Sequence, residues 1–297
     1  MMKIAIYGNR HQDDFVGQIH DFLSFFASRG DSIVMHQKIC RYLLDNLGET
    51  FAAAAARFEV VDNEDFSADI AVSIGGDGTF LRTAQWVADK EIPIVGVNTG
   101  HLGFLAPFTL AEARQVVTDF AVGRARVEER SLVAVDIPGA QVDTWPFALN
   151  EVAILKKDTA SMIEISARID GAPLADYLCD GLIISTPTGS TGYNLSVGGP
   201  LVVPESPSFI ISPIAAHSLT MRPLVVNDKS VLQFKVTSRS HSYRLSLDGR
   251  SVNFPCGSSF YLSRAMFVVK AVQKPDFNFF ATIREKLLWG TTARLKS

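Results

Sequence analysis

The run Ile74-Gly75-Gly76-Asp77-Gly78-Thr79 concentrates residue types that can handle phosphate. An apolar stretch precedes it and a helical pattern follows. Glycines let backbone N–H groups close on a phosphate with no Cβ in the way. The start of the following helix adds about half a positive charge. The chain contains no Gly-Lys pair, which excludes a Walker A loop. GxGxxG is absent from this segment, which excludes the usual dinucleotide fingerprint there. A carboxylate, Asp77, stands among the glycines instead. Beside phosphates it is repelled unless it holds a metal ion or accepts a hydrogen bond from a hydroxyl. Both uses point to phosphoryl transfer. The competing reading makes Asp77 an ordinary N-cap of a helix starting at Gly78 or Thr79.

Three further segments carry polar groups in ordered settings. Gly96–Leu105 (GVNTGHLGFL) follows an apolar strand and offers Asn98, Thr99 and Gly100. Ligands in open α/β sheets sit at the carboxyl ends of strands, where this segment falls. Asn150-Glu151-Val152 opens a strand, and strand neighbours point to opposite faces. One of the pair can then face a ligand while the other fixes a neighbour. Asp180–Pro200 reads DGLIISTPTGSTGYNLSVGGP. A short strand, Leu182–Ile184, runs into a loop with Thr186, Thr188, Ser190 and Thr191, a density of hydroxyls suited to sugar hydroxyls, phosphates and amides. Pro187 pre-sets a turn. Tyr193 can pack on a flat heterocycle with its hydroxyl free to bond.

The elements that must position these residues follow from periodicity. Up to residue 121, strand patterns (Lys3–Tyr7, Ser32–His36, Asp69–Ile74, Ile92–Val97) alternate with helical ones (Asp14–Arg29, Ile39–Phe58, Thr79–Asp89, Leu110–Ala121). That alternation predicts a doubly wound parallel sheet, a Rossmann-like α/β domain. From about residue 127 the chain gives short strands with turn signals at Gly171, Gly249 and Gly257, and period-2 alternation is clear in Ile163–Ile169. A β-rich, β-sandwich-like domain is expected over 127–275. The last helix, Ala281–Leu288, is expected to return to the first domain, which then comprises 1–126 and 276–297.

Composition narrows the class. The 297 residues suit about two domains. Apolar residues at 47% and charged residues at 20% are ordinary globular usage. With 28 basic and 31 acidic residues the net charge is −3, against a general nucleic-acid binder. No apolar run reaches the roughly 18 residues of a membrane span, and the N-terminus lacks a secretory h-region. Three scattered cysteines and six scattered histidines (11, 20, 36, 101, 217, 241) show no disulfide or zinc spacing. A cytoplasmic setting is expected, without membrane or nucleic-acid partners. No Gly-x-Ser-x-Gly elbow anchors a hydrolase reading.

Taken in order, GGDGTFLR, GVNTGHLGFL, NEV and DGLIISTPTGSTGYNLSVGGP resemble the motifs of bacterial NAD kinases, from Ile4 to the closing IREKLLWG. Diacylglycerol, sphingosine and 6-phosphofructo kinases share the first loop but would not be expected to carry TPTGSTGY, which disfavours a lipid or sugar acceptor. A dinucleotide sensor without turnover should lack the loop carboxylate. The resemblance implies transfer of the ATP γ-phosphoryl group to the 2′-hydroxyl of the adenosine ribose of NAD, giving NADP. ATP and a divalent cation, Mg²⁺, are implied, with polyphosphate open as an alternative donor. Asp77 is implied as the catalytic carboxylate, and Gly75, Gly76, Gly78, Thr79, Asn98 and Gly100 as the phosphate loop. Implied on the NAD side are Gly78, Phe80, Arg82, Asn150, Glu151, Ser161, Asp180, Thr191, Gly192, Tyr193, Asn194, Leu195, Ser196, Ala215 and Arg250. Ala215 is implied to reach a neighbouring subunit in a homodimer or homotetramer. The sequence departs from the family pattern at Gly192 (usually Ala), Ala216 (usually Pro), Leu178 (often Arg), Ser161 (often a ring or a base) and Arg250 (often Gln).

Overall fold

A computed structural model describes residues 1–9, 13–100, 103–158 and 161–290. His11 and His101, and the middle of GVNTGHLGFL, lie outside the described residues. The chain forms two units, Met1–Glu128 with Lys270–Ser297, and Glu129–Val269.

The first unit alternates strand and helix. In chain order it runs β1 (Lys3–Gly8), α1 (Val16–Ser28), β2 (Ser32–His36), α2 (Gln37–Leu47), α3 (Glu49–Ala55), β3 (Glu59–Val61), β4 (Ile70–Ile74), α4 (Asp77–Val87), β5 (Ile94–Val97), α5 (Leu110–Ala121) and β6 (Arg126–Arg130). Helical spacing buries Ile19, Phe22, Leu23 and Phe26 of α1 on the sheet. The expected helix 39–58 is two helices, because Gly48 takes φ +55 between them. A capping box starts α5: the Thr109 hydroxyl accepts from the Glu112 N–H and the Glu112 carboxylate accepts from the Thr109 N–H.

The second unit is antiparallel. It comprises β7 (Val133–Asp136), β8 (Phe147–Ala148), β9 (Glu151–Lys156), β10 (Ile163–Ile169), β11 (Ala172–Cys179), β12 (Gly181–Ser185), α6 (Tyr193–Ser196), β13 (Ser208–Ile214), β14 (Leu224–Asn227), β15 (Leu232–Thr237), β16 (Ser242–Leu247), β17 (Arg250–Pro255) and β18 (Ser259–Arg264). Its strands form two sheets, β11-β10-β15-β18-β7-β8 and β14-β13-β12-β9-β16-β17. One apolar cluster joins their inner faces, with Ile165, Phe234 and Phe260 from one sheet and Ile154, Ile184 and Tyr243 from the other. The Tyr243 ring stacks on Phe260, centroids 5.7 Å apart, so the unit is a sandwich.

After the sandwich the chain returns to the first unit as β19 (Val269–Gln273) and α7 (Phe279–Leu287). The first sheet has the order β3-β2-β1-β4-β5-β19-β6, and β1 pairs in parallel with both β2 and β4. The strand order therefore reverses at β1/β4, the switch point where such sheets bind ligands. The Gly75–Thr79 loop leaves the carboxyl end of β4 at that place.

Candidate active site

In the first unit Asp77 is the first residue of α4, and Gly76 is the N-cap. The Asp77 side chain does not cap its own helix, which overturns the N-cap alternative. Its carboxylate instead accepts three consecutive N–H groups from the segment after β5. Phe104 donates to Oδ2 at 2.8 Å, and Leu105 and Ala106 donate to Oδ1 at 2.9 and 3.1 Å. Bonds of this charge-assisted kind fix the direction of the carboxylate. A Cβ on Gly103 would run into the Asp77 carboxylate, so glycine there permits the grip. Asn98 Oδ1 accepts from the Gly100 N–H at 2.6 Å and closes the turn before it.

The other expected residues of this unit divide. Gly76 and Gly78 are exposed and Asp77 is half-buried, as a phosphate-accessible loop requires. Gly75 and Thr79 are buried beneath it, and Arg82 is exposed on α4. Phe80, expected near an adenine, is 1% exposed, because its place on α4 faces the interior.

In the second unit Asn150 lies in the bend before β9 and Glu151 begins the strand. Strict alternation therefore does not apply to the pair. Both side chains approach Gly192: a Cβ built there would lie 3.1 Å from Glu151 Oε2 and 3.6 Å from Asn150 Nδ2. Asn150 Oδ1 and Glu151 Oε2 are both buried without a hydrogen-bond partner among the described residues. Such groups cost stability unless something satisfies them. Burial first, and then the charge of Asp248, push the Glu151 carboxyl up to about 7; the Tyr193 N–H pulls it partway back.

Asp248 is a residue the sequence reading passed over. It sits in the two-residue Asp-Gly turn between β16 and β17, with φ +46 at Asp248 and +81 at Gly249. Its carboxylate is 3% exposed. It accepts from the N–H groups of Leu149 (2.7 Å), Asn150 (2.9 Å) and Glu151 (3.1 Å). Burial raises its pKa, and those three donors and Arg250 oppose the rise. The Asp-Gly turn was a visible signal, but the reach to residues 97–99 positions away was not.

The hydroxyl-rich loop is mostly spent on itself. The Thr186 hydroxyl donates to the Leu149 carbonyl and accepts from the Gly189 N–H. The Thr191 hydroxyl donates to the Thr188 carbonyl, and the Ser190 hydroxyl exchanges bonds with Val202. Asn194 is fully buried, accepting from the Ser212 hydroxyl at 2.7 Å and donating to the Ser190 and Pro200 carbonyls. These residues build the loop's shape. Gly189 packs so closely on the Asn150 carbonyl that a Cβ would overlap it. Tyr193 is 41% exposed and its ring is open to a ligand; Gly192 and Leu195 are half-buried and Ser196 is exposed beside it.

Asp180 is ion-paired with Lys156 at 2.6 Å, a partner the sequence reading missed. The Ser161 hydroxyl donates to Asp158. Arg250 spends its guanidinium on the carbonyls of Trp145 (2.8 Å) and Phe147 (2.6 Å), so it braces the 144–147 segment. Ala215 is exposed with φ +47, a rare conformation outside glycine. Leu178 is 43% exposed on β11.

Among the described residues no group of three or more His, Cys, Asp or Glu could hold a metal ion. No described helix is long and apolar enough to cross a membrane.

Comparison with known proteins adds an independent line. The model of the ATP-NAD kinase N-terminal domain matches residues 49–125, and that of the ATP-NAD kinase C-terminal domain matches residues 149–272. NAD kinases of Bacteroides fragilis and Porphyromonas gingivalis are each 40% identical over 294 residues, spanning 99% of this chain and 100% of those proteins. The crystal structure of an NAD kinase from Archaeoglobus fulgidus in complex with ATP superposes with a TM-score of 0.72 at 27% identity, covering 95% of this chain and 99% of that one. Yeast NADH kinase complexed with NADH shares the fold, with a TM-score of 0.87 at 23% identity over 100% of this chain and 90% of that one.

Proposed function

The chain belongs to the NAD kinase family and phosphorylates NAD with ATP; from that premise we propose that Asp77 receives and orients the acceptor, the 2′-hydroxyl of the adenosine ribose. The observation that carries this reading is the three-donor grip on its carboxylate. Each carboxylate oxygen offers about two acceptor sites. Oδ1 uses both, and Oδ2 accepts one bond among the described residues, so Oδ2 is the oxygen left to meet a hydroxyl. In a loose phosphoryl-transfer transition state the acceptor proton leaves late, so direction matters more than basicity. The γ-phosphorus bond to the β-bridging oxygen breaks, the bond from the 2′-oxygen to phosphorus forms, and the acceptor proton passes to Oδ2.

Gly75, Gly76, Gly78 and Thr79, with Asn98 and Gly100, cradle the triphosphate at the start of α4. Mg²⁺ enters with ATP as part of the substrate and neutralises phosphate charge. On the NAD side, the two unsatisfied acceptors of Asn150 and Glu151 meet ribose and adenine donors. Tyr193 packs on a ring, and Asp180 takes the nicotinamide amide or its neighbours. Thr191, Ser161 and the backbone of 192–196 complete the pocket. Ala215 reaches a neighbouring copy in a homodimer or homotetramer.

The test incubates the protein with ATP, Mg²⁺ and NAD and reads NADP with an NADP-specific dehydrogenase. Asp77→Asn should lower kcat by about 10²–10⁴-fold while calorimetry shows NAD binding retained. A variant within tenfold of the parent, about 1.4 kcal/mol, would sink the role given to Asp77.

A further inference from the structure

Lys286 lies in the last turn of α7. Its Nζ is closed off from solvent and has no hydrogen-bond partner among the described residues. It sits 4.9 Å from the centroid of the Phe104 ring. Phe104 is the residue whose N–H donates to Asp77 Oδ2. Burial lowers the pKa of the ammonium, and the charges of Asp77 and then Glu285 hold it up. Helix α7 is set in this place by its own anchors: Asn278 caps it from the Ala281 N–H, Ile283 is buried, and just upstream Lys274 is paired with Glu112 at 2.6 Å.

An ammonium carries three donors and accepts nothing. Leaving all three unmet in a closed site costs several kcal/mol. A lysine held only for its packing could snorkel to water along its flexible stem. This one instead turns inward, over the ring beside the catalytic carboxylate. The aromatic face offsets part of the cost, but a cation on a ring still lacks acceptors. An anion that presents several oxygens beside Asp77 and the Gly75–Thr79 loop would satisfy these donors and balance the charge together.

We propose that Lys286 Nζ donates to a non-bridging oxygen of the donor triphosphate, and so is a phosphate-binding residue of the transfer site. The assignment rests on the kinase reading given above. Lys286 gives up no proton in the step. It balances charge on the phosphoryl oxygens while the bond to the departing diphosphate breaks, as fixed cations do in phosphoryl transfer. It also draws the last turn of α7 into the site, 209 residues from Asp77 in sequence.

The experiment compares the full-length parent with Lys286→Met and Lys286→Arg. Three readouts are taken: kcat/KM for MgATP and for NAD, calorimetric binding of MgATP and of inorganic triphosphate, and Tm. In Lys286→Met we expect kcat/KM for MgATP and triphosphate affinity to fall about 10–100-fold, as for loss of a bond to a charged group. The NAD dissociation constant should stay within twofold, and Lys286→Arg should recover part of the loss. If Lys286→Met does not fold, Lys286→Gln takes its place in the same titrations. A fall in Tm with unchanged triphosphate affinity would make Lys286 a packing residue and overturn the proposal. So would a loss of NAD affinity with MgATP unaffected. The two readings fail separately. If the parent makes NADP and Lys286→Met matches it in every readout, the lysine assignment falls and the kinase reading stands. If the parent makes no NADP but Lys286→Met still loses triphosphate, the lysine assignment stands and the kinase reading falls.

Discussion

Asp77 and Asp248 make the same local structure in two unlike settings. Each accepts the N–H groups of three consecutive residues, the first on Oδ2 and the next two on Oδ1. Asp77 starts a helix of the α/β unit; Asp248 sits in a β-turn of the sandwich. Around them everything differs. Asp77 is half-buried, flanked by exposed Gly76 and Gly78, with the Lys286 ammonium bearing on it. Asp248 is sealed at 3% exposure, with Arg250 at 4.0 Å, and its charge helps to raise the pKa of the Glu151 carboxyl. The grip is thus a general device for fixing a peptide turn. Of the two carboxylates, only that of Asp77 is left partly open to solvent and to incoming phosphate. The sealed one acts through what it holds, the backbone of Asn150 and Glu151, and is a positioning residue.

The largest effect should come from Gly103→Ala. Its Cβ cannot coexist with the present Asp77 carboxylate, so the grip must open. Turnover should fall by about 100-fold or more, the scale of misplacing a catalytic group by an ångström, with NAD binding retained. Near-normal kcat would separate the grip from catalysis.

Asp248→Asn should come next. One amide N–H then faces a backbone N–H, leaving a buried donor unmet at roughly 1–3 kcal/mol. Expected are a lower Tm and an about tenfold higher NAD KM, with kcat little changed. A kcat loss as large as that of Asp77→Asn would erase the distinction drawn between the two carboxylates.

Glu151 gives the comparison a pH signature. Its carboxyl is raised from 4.5 to about 7, chiefly by burial. A raised carboxyl contributes stability that is complete below its ordinary value and is lost as pH rises through the folded value. Between about pH 4.5 and 7 the parent should therefore lose roughly 1–3 kcal/mol that Glu151→Gln does not lose. Parallel stability profiles for parent and variant would show that the carboxyl is not held protonated.

The smallest effect is expected at Gly192→Ala. Restricting the unfolded chain favours the variant by about 0.4–1 kcal/mol, against a tight 3.1 Å contact with Glu151 Oε2. A net change below about 1 kcal/mol in denaturant unfolding should result. A large destabilisation would mean that Glu151 has no room to yield.

Much of the frame was legible in local pattern. Helix α5 falls on Leu110–Ala121 because the apolar spacing and the Thr109/Glu112 caps agree. Strand β10 falls on Ile163–Ile169 because its alternation is regular. Strands β11 and β13 escaped, since APLADYLC carries Pro173 and Asp176 and SFIISPI carries Pro213, residues that read as strand breakers. Both sit in the sheets all the same, where neighbouring strands outweigh propensity.

Residue types and their order along the chain were enough to mark the Gly75–Thr79, NEV and TPTGSTGY segments and, through the family they resemble, to point to phosphorylation of NAD. These signals are local, and local sequence states them directly. Tertiary structure decided which groups are spent and which are left over. The loop hydroxyls of Thr186, Ser190 and Thr191 are used to hold the loop. The acceptors of Asn150 and Glu151 and the ammonium of Lys286 are not satisfied by the described residues. That division depends on partners 27 to 99 residues apart in the two carboxylate grips, because a hydrogen bond is satisfied in space and the chain brings its donors there only by folding.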